Sequence, residues 1–361
     1  MRRVKTRSIG RIIRMVRKIP VLLLAAVCSL AAADFGPPTG SRFPTFNLPD
    51  QTGQLHNSRS LLGPKGAVIL FYQSADWCPY CKAQLKELEQ HQEAFRKLGL
   101  GVAAVSYDSS AILKDFAGRA AIHFPLLSDS NLKTIRLLHI LNEDAPHSSP
   151  LYGAARLGWF VLDAKGVIVA KYFEEDTSQS YTSASILLHQ FGWVPPEPAR
   201  KVEGKQLTAT IGASNSMVAP GQRVALTLDI DLQENLHVYA PGVDNYIPIE
   251  WKIEDSDTAQ AHAPVFPHAE KLYLKAINET VPTYTNRFRL TRDITIPAED
   301  KLKAKVDGSG HFTVDSVLNY QACDDRMCYF PQKVRLQWTF EYEPLDQQRA
   351  PGELQRRRSD P

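Results

Sequence analysis

The pattern of apolar and polar positions changes its period near the middle of the chain. In the first half, short apolar runs alternate with helical patterns. The uncharged run AVILFYQS at 67–74 predicts a buried central strand. From Pro79 apolar residues recur at helical spacing until Gly99, which predicts a helix over that stretch. This alternation predicts an α/β domain at residues 34–195.

The alternation of strands and helices continues to residue 192. The predicted strands are 102–107 and 124–129, the predicted helices are 110–120, 131–141 and 182–191, and a hairpin is predicted at 159–173. Gly166 falls in the turn of that hairpin, where a positive φ favours glycine.

Beyond residue 204 the apolar positions recur at every second residue. This alternation is clear in RVALTLDIDL (223–232) and VRLQWTFEYE (334–343). It is typical of antiparallel sheets with one buried face, so residues 205–343 are predicted to form an all-β sandwich. The proline- and charge-rich residues 196–204 are the predicted linker, and residues 344–361 the predicted disordered tail.

The charge of +3 is unevenly distributed along the chain. Residues 1–18 hold eight of the 42 basic residues and no acid, which leaves 34 basic against 39 acidic residues downstream, or about −5. A nucleic-acid partner for the folded part is therefore not expected, because such binding requires a positive surface.

The basic stretch is followed by a short apolar run at 21–33 that ends in three alanines. This is the pattern of a secretory signal peptide, predicted at residues 1–33 with cleavage after Ala33, so that Cys28 leaves with it. No later segment approaches about 20 continuous apolar residues, so no membrane span is expected in the mature chain. The predicted location is the periplasm, where disulfides persist.

The first cysteine pair lies in SADWCPYCK, directly after the predicted central strand. Cys78 would sit at a helix N-terminus, where free N–H groups and the helix dipole stabilise a thiolate. Cys81 would lie one turn further, within reach of a mixed disulfide at Cys78, and Pro79 suits the first helical position. By spacing alone, the pair could also be half of a zinc site or a structural bridge.

Residues 40–192 resemble the thioredoxin superfamily, in its TlpA and redoxin-like branch. The resemblance rests on DWCPYCK, an opening segment at 46–53 and the late hairpin. It implies that Cys78 attacks and Cys81 resolves, with Trp77, Pro79 and Tyr80 supporting them. Two family positions differ, because Tyr72 stands where these proteins carry a buried Asp and Leu157 where they carry a cis-proline.

Peroxiredoxins share this fold and provide an alternative function. They need a proline seven residues and a Thr or Ser three residues before the attacking cysteine, and this chain has Phe71 and Ala75 there. The hydroxyl that steers the peroxide is thus absent from the motif.

The second pair, Cys323 and Cys328, lies in NYQACDDRMCYFP between two predicted strands. A structural bridge is one interpretation, although closing so short a loop gains little stability. The segment 205–343 resembles the N-terminal periplasmic domain of the thiol–disulfide interchange protein DsbD, an immunoglobulin-like sandwich. That resemblance implies a reversible redox pair shielded by an aromatic cap, for which Tyr273 is the candidate.

The predicted function is that of an exported thiol–disulfide oxidoreductase, a disulfide reductase or electron relay without cofactor or metal. Its expected partners are periplasmic client disulfides and a membrane electron donor of the DsbD type. The two pairs are expected to exchange electrons through a Cys78–Cys323 disulfide across a flexible linker. The alternatives are a thiol peroxidase, a non-catalytic binding protein with a structural C-terminal disulfide, and a zinc site formed by all four cysteines.

Overall fold

A buried strand places the first cysteine pair in the fold. The computed structural model describes residues 35–195, 200–274 and 278–355. All six residues of the strand Gly66–Phe71 are buried, because they are apolar or small and both of its faces are covered. Helix Pro79–Lys97 follows after a short loop, as the sequence predicts.

The first domain contains the remaining elements of an α/β fold. Its strands are β1 (Asn47–Pro49), β2 (Leu55–Asn57), β3 (Gly66–Phe71), β4 (Leu100–Ser106), β5 (Leu126–Ser128), β6 (Gly158–Asp163), β7 (Ile168–Phe173) and β8 (Ser180–Tyr181). Its helices are α1 (Pro79–Lys97), α2 (Ser110–Ala120), α3 (Lys133–Leu137) and α4 (Ser183–Phe191). Strand β3 pairs with β6, which pairs with β7, and β4 pairs in parallel with β5.

Most predicted elements of this domain are present, and the largest difference concerns α3. The sequence predicts a helix over 131–141, whereas α3 covers five residues. Leu132 and His139, which flank it, both have positive φ, and no side chain caps its start. The backbone therefore leaves the helical region at both ends. In the β6–β7 turn, Gly166 has φ +73°, as predicted.

The second domain is built almost entirely of strands. They are β9 (Arg200–Glu203), β10 (Leu207–Ala213), β11 (Met217–Val218), β12 (Gln222–Leu232), β13 (His237–Tyr239), β14 (Glu250–Lys252), β15 (Gln260–Val265), β16 (Glu270–Leu274), β17 (Glu279–Thr285), β18 (Arg287–Thr295), β19 (His311–Tyr320), β20 (Ala322–Cys323) and β21 (Gln332–Tyr342). A short helix α5 (Glu299–Leu302) and a 3-10 turn (Lys303–Lys305) follow β18.

The strands of the second domain form packed sheets, as the two-residue period predicts. One sheet has the order β15-β18-β12-β10-β9, a second β11-β21-β19-β14 and a third β16-β17-β13-β20. In the core, Trp251 of β14 stacks on Trp338 of β21, both from the second sheet, with ring centroids 5.6 Å apart. Alternate residues of β21 are buried, so one face of the strand forms core and the other meets solvent. The predicted fold class is confirmed.

The two domains share a sheet. Strand β8 of the first domain pairs in parallel with the start of β12, and Thr182 N–H donates to the Arg223 carbonyl at 3.0 Å. Beside this strand pair, the buried Glu87 carboxylate accepts hydrogen bonds from the Ser183 N–H at 2.7 Å and the Asn215 side chain at 2.9 Å. Burial opposes the charge of Glu87, but His91 and Ser183 hold its pKa below the usual value.

Two predicted segments differ from the structure. Part of the predicted linker, Arg200–Glu203, is strand β9 paired with β10, and residues 196–199 lie outside the described residues. The predicted disordered tail is wrong for residues 344–355, which we name the C-terminal strap. Its composition is typical of a loop, but Arg349 and Gln348 of the strap form hydrogen bonds with Asp76 and Lys82 of the first domain. Residues 356–361 lie outside the described residues.

Candidate functional site: two disulfides

The first cysteine pair forms a disulfide at the N-terminus of α1. Cys78 is the N-cap residue, and its sulfur accepts a hydrogen bond from the Cys81 N–H at 3.1 Å. Pro79 is the first helical residue, where its missing N–H has no cost. In the reduced protein the same N–H and the helix dipole would stabilise a thiolate at Cys78.

Both sulfurs of this disulfide are buried, since Cys78 is 2% exposed and Cys81 is fully covered. The side-chain oxygen of Gln73 lies 3.1 Å from the Cys78 sulfur and 3.7 Å from the Cys81 sulfur. The amide nitrogen of Gln73 donates to the Thr177 carbonyl at 2.8 Å, which fixes the orientation of the amide. Gln73 was not predicted from the sequence, because its partner Thr177 lies far along the chain.

The residues predicted to support the pair are placed beside it. Trp77 packs on the core that contains both cysteines, and its ring N–H donates to the Tyr107 hydroxyl at 2.7 Å. Tyr80 packs against the same core and also contacts the cluster of Ala83, Ala219 and Leu345, which joins the helix to the second domain and to the strap. Burial raises the pKa of Tyr80.

The two positions at which the family pattern differs are also buried. Leu157 belongs to the core around Cys78 and Cys81, and residues 35–195, 200–274 and 278–355 contain no cis peptide bond. Tyr72 is fully buried, and its hydroxyl has no hydrogen-bond partner within the described part of the chain.

A buried acid, Asp108, is held close to the cysteine loop. Its carboxylate accepts hydrogen bonds from the Ala75 N–H at 2.6 Å, the Ser74 hydroxyl at 2.8 Å and the Ser106 hydroxyl at 3.0 Å. Burial raises the pKa of Asp108 to about 6 despite these donors. Asp108 was not predicted as a site residue, because its partners Ser74 and Ala75 lie 34 and 33 residues before it in the chain.

The C-terminal strap is anchored two residues before Cys78. Asp76 receives two hydrogen bonds from Arg349, at 2.8 and 2.6 Å, and one from the Ala350 N–H at 2.8 Å. Lys82, whose side chain is 1% exposed, donates to the Gln348 carbonyl at 2.7 Å. The strap therefore holds the loop and the first turn that carry the disulfide.

The second cysteine pair forms a disulfide at the tip of the β20–β21 connection. Cys323 is buried in β20, whereas Cys328 is exposed. The Tyr239 hydroxyl lies 3.8 Å from the Cys328 sulfur, and Tyr239 stacks on Tyr246. Asp324 accepts backbone hydrogen bonds from Arg326 and Met327, which lower its pKa and shape the turn.

The predicted cap residue Tyr273 does not lie against the second disulfide. It is 53% exposed, and its hydroxyl donates to the Asn278 side chain at 2.7 Å. Its neighbour Leu274 packs instead against the buried cluster of Tyr239, Val281 and Cys323. Successive residues of a strand point to opposite faces, so the one-residue difference decides which side chain covers the pair.

The second disulfide lies at the end of the second domain that is remote from the first domain. Strand β21 begins at Gln332, just after the second pair, and its 11 residues span about 35 Å. It ends at Tyr342, next to the strap that holds Asp76. Cys78 and Cys323 are therefore apart in this arrangement, and the predicted exchange between the two pairs stays a prediction. Among the described residues, no group of three or more His, Cys, Asp or Glu side chains could hold a metal ion.

In residues 35–195, 200–274 and 278–355, no helix has the length and apolar character needed to cross a membrane.

Two family models match the chain in separate segments. The AhpC/TSA family matches residues 39–171. The N-terminal domain of the thiol:disulfide interchange protein DsbD matches residues 206–338. The two segments coincide with the α/β domain and the sandwich.

Curated relatives match the first domain. Peroxiredoxin Bcp of Escherichia coli is 28% identical over 142 residues, which are 39% of this chain and 89% of that protein. A putative peroxiredoxin of Mycobacterium tuberculosis is 30% identical over 135 residues, which are 37% of this chain and 83% of that protein. The crystal structure of peroxidoxin BcpB from Mycobacterium tuberculosis is 21% identical, covers 40% of this chain and 90% of its own, and has a TM-score of 0.36.

The matches agree with the site geometry, in which a cysteine at a helix N-terminus forms a disulfide one turn away. The chain therefore belongs to the thioredoxin superfamily, as a thiol-based oxidoreductase with an AhpC/TSA-family domain at residues 39–171 and a DsbD N-terminal domain at residues 206–338.

Proposed function

We propose that this protein is a thiol–disulfide oxidoreductase that reduces disulfides of client proteins through Cys78 and Cys81. The observation that carries the proposal is the disulfide at the N-terminus of α1, in which Cys81 N–H donates to the Cys78 sulfur. A thiolate is stabilised there, and the second thiol is one turn away. Trp77, Pro79 and Tyr80 hold the loop in place.

The proposed reaction has two exchange steps. The Cys78 thiolate attacks one sulfur of the client disulfide, and the other client sulfur leaves as a thiolate. The Cys81 thiolate then attacks Cys78 in the mixed disulfide and releases the second client thiolate. Two electrons pass to the client, and the Cys78–Cys81 disulfide remains. Because Cys78 is 2% exposed, a client must displace neighbouring side chains to reach it.

A thiol peroxidase is the second candidate, and the identity to peroxiredoxins of two organisms favours it. The environment of Cys78 argues against it. Ala75 stands where a hydroxyl would steer the peroxide, and the neighbouring Ser74 hydroxyl is directed to Asp108. A peroxide would therefore lack the hydroxyl donor of the peroxiredoxin motif.

We also propose that Cys323 and Cys328 form a second exchanging pair. The match to the DsbD N-terminal family and the exposure of Cys328 support this role. Because the second pair lies at the end of the second domain that is remote from the first domain, each pair would meet its own partner. The proposed partners are client disulfides for the first pair and a membrane electron donor of the DsbD type for the second. A structural staple is the alternative for the second pair.

We propose the periplasm as the location. The basic and apolar pattern at residues 1–33 and the family of the second domain support it. Two disulfides are also typical of an oxidising compartment.

The test compares two activities of the reduced full chain. We expect reduction of a model disulfide, loss of that activity in Cys78→Ser, and accumulation of mixed disulfides in Cys81→Ser. Turnover of hydrogen peroxide that is faster than disulfide reduction, and that needs Cys78, would replace the reductase by the peroxidase.

A further inference from the structure

Gln73 is a buried polar side chain in direct contact with both sulfurs of the first disulfide. It lies between the end of β3 and the cysteine loop and is 2% exposed. Its oxygen is 3.1 Å from the Cys78 sulfur and 3.7 Å from the Cys81 sulfur. A buried amide needs partners for its oxygen as well as its nitrogen, and in the reduced protein a thiol is within reach of that oxygen.

The orientation of the Gln73 amide is set by a second contact. Its nitrogen donates to the Thr177 carbonyl at 2.8 Å, so the oxygen must face the sulfurs. Thr177 belongs to the loop that precedes β8, the strand that pairs with the second domain. The adjacent Ser178 carbonyl lies so close to Gly221 that a Cβ there would come within 2.1 Å of it. The docked second domain therefore supports the loop that holds Gln73.

We propose that Gln73 stabilises the protonated Cys78 thiol against the thiolate and so sets the pH above which this site attacks. The proposal rests on the thiol–disulfide exchange proposed for Cys78 and Cys81. Gln73 touches the reacting sulfurs and is, on this proposal, a catalytic residue of the exchange.

The chemistry follows from the charge on the Gln73 oxygen. Reduction of the disulfide takes up two electrons and two protons and gives two thiols. A thiol S–H can donate to the amide oxygen, whereas a thiolate has no hydrogen and faces the negative end of the amide dipole. This contact opposes the Cys81 N–H, which favours the thiolate at 3.1 Å. Both influences act on the same sulfur, so removing one changes the balance.

The test replaces Gln73 by methionine, which has a similar length and no carbonyl. The full-length protein is reduced, and the rate of Cys78 alkylation by iodoacetamide is followed against pH through the mass of the Cys78 peptide. We expect the pH midpoint of the Cys78 alkylation rate to be about one unit lower in Gln73→Met than in the wild type. At a given pH, this corresponds to a tenfold increase in the thiolate-to-thiol ratio of Cys78. The control is Gln84→Met, because Gln84 is a similarly buried glutamine in α1 but bonds to Glu87 rather than to a sulfur.

A second readout separates this role from a structural one. If the midpoint of Cys78 alkylation falls, the equilibrium between the Cys78–Cys81 pair and glutathione must depend on pH differently in the variant than in the wild type. Between a pH below both midpoints and one above both, the variant should gain about tenfold in the reduced form relative to wild type, or about 30 mV. A general loosening of the fold would change the equilibrium by the same factor at every pH.

The proposal is wrong if folded Gln73→Met has the wild-type midpoint, or if Gln84→Met moves it equally. Should Gln73→Met fail to fold, Gln73→Asn decides, since it keeps the amide but is too short to contact both Thr177 and Cys78. A downward shift there supports the proposal, and an unchanged midpoint refutes it. If instead Cys78–Cys81 resists reduction altogether, the proposed function fails, which is a different result.

Discussion

The two disulfides of this protein have opposite surroundings. Cys78 and Cys81 are buried at a helix N-terminus, against Gln73 and near a buried acid. Cys323 and Cys328 close a strand connection whose tip is exposed, with Met327 57% and Phe330 88% exposed beside it. A helix N-terminus favours a reactive thiolate, whereas exposure favours access by a partner. Sequence spacing does not distinguish these cases, but the environment of the sulfurs does.

The two disulfides are also separated in space. The first domain, the strap and the start of β12 form one interface, and the second disulfide lies at the far end of β21. Each pair can therefore be altered without touching the other.

The largest expected effect is the loss of model-disulfide reduction when the first cysteine pair is altered, but not when the second pair is altered. Cys78→Ser should lower reduction of a model disulfide to the uncatalysed rate, because no attacking thiolate remains. Cys328→Ser should leave that rate unchanged within twofold, because its site is remote. Equal loss in both variants would show that the two pairs work in series and would break the comparison.

Asp108 should make stability depend on pH in the first domain. Its pKa is raised from 3.8 to about 6 by burial, so the folded protein favours the protonated acid. That contribution is present below the unfolded pKa and is lost as pH rises through 6. Relative to Asp108→Asn, the wild-type free energy of unfolding should fall by about 2 kcal/mol between pH 4 and 7.

Asp324, beside the second disulfide, is the matched control, because its contribution to stability should depend on pH in the opposite direction. Backbone donors from Arg326 and Met327 lower its pKa, so its contribution is present above the unfolded pKa and is lost on acidification. Denaturant titrations of Asp108→Asn and Asp324→Asn at several pH values check both slopes. Parallel slopes would contradict the account of the first site.

Release of the C-terminal strap should expose the first disulfide. Arg349→Ala removes two hydrogen bonds to Asp76, two residues before Cys78. We expect Cys78 in the reduced protein to be alkylated several-fold faster, while the second pair reacts as before. Arg287→Ala, which removes an exposed ion pair with Asp231 in the second domain, is the control. An unchanged Cys78 rate would show that the strap does not limit access.

The smallest expected effect tests which side chain covers the second pair. Leu274→Ala should open the cluster around Cys323 and raise the rate of reduction of the second disulfide about threefold. Tyr273→Ala should leave that rate unchanged, since the Tyr273 side chain contacts Asn278. Reduction by dithiothreitol, followed by mass spectrometry, checks both. A larger increase of the reduction rate in Tyr273→Ala than in Leu274→Ala would show that Tyr273 covers the second disulfide.

The features that depend on local sequence were predicted well. The strand before Cys78, the helix from Pro79 and the alternation in β21 each come from neighbouring residues. The resemblance of two segments to known families added the fold class of each domain. The position of both disulfides in the fold followed from these features.

The contacts that tune the first site were not predictable in the same way. Gln73 meets Thr177 and Asp76 meets Arg349, and these partners are 104 and 273 residues apart. No sequence periodicity connects such distant positions, so the residues of the strap were predicted to be a disordered tail. The sequence analysis named Tyr273 as the cap, whereas Leu274 packs against the cluster that contains Cys323, because successive residues of a strand point to opposite faces.

The measurement that tests the central claim most directly is a redox titration of the full chain in glutathione buffers, with each pair quantified by mass spectrometry. The account predicts two separate transitions, both at potentials above about −300 mV, with Cys78–Cys81 still titrating in a Cys323→Ser/Cys328→Ser variant. A Cys78–Cys81 pair that stays oxidised below that potential would be a structural bridge and would contradict the account.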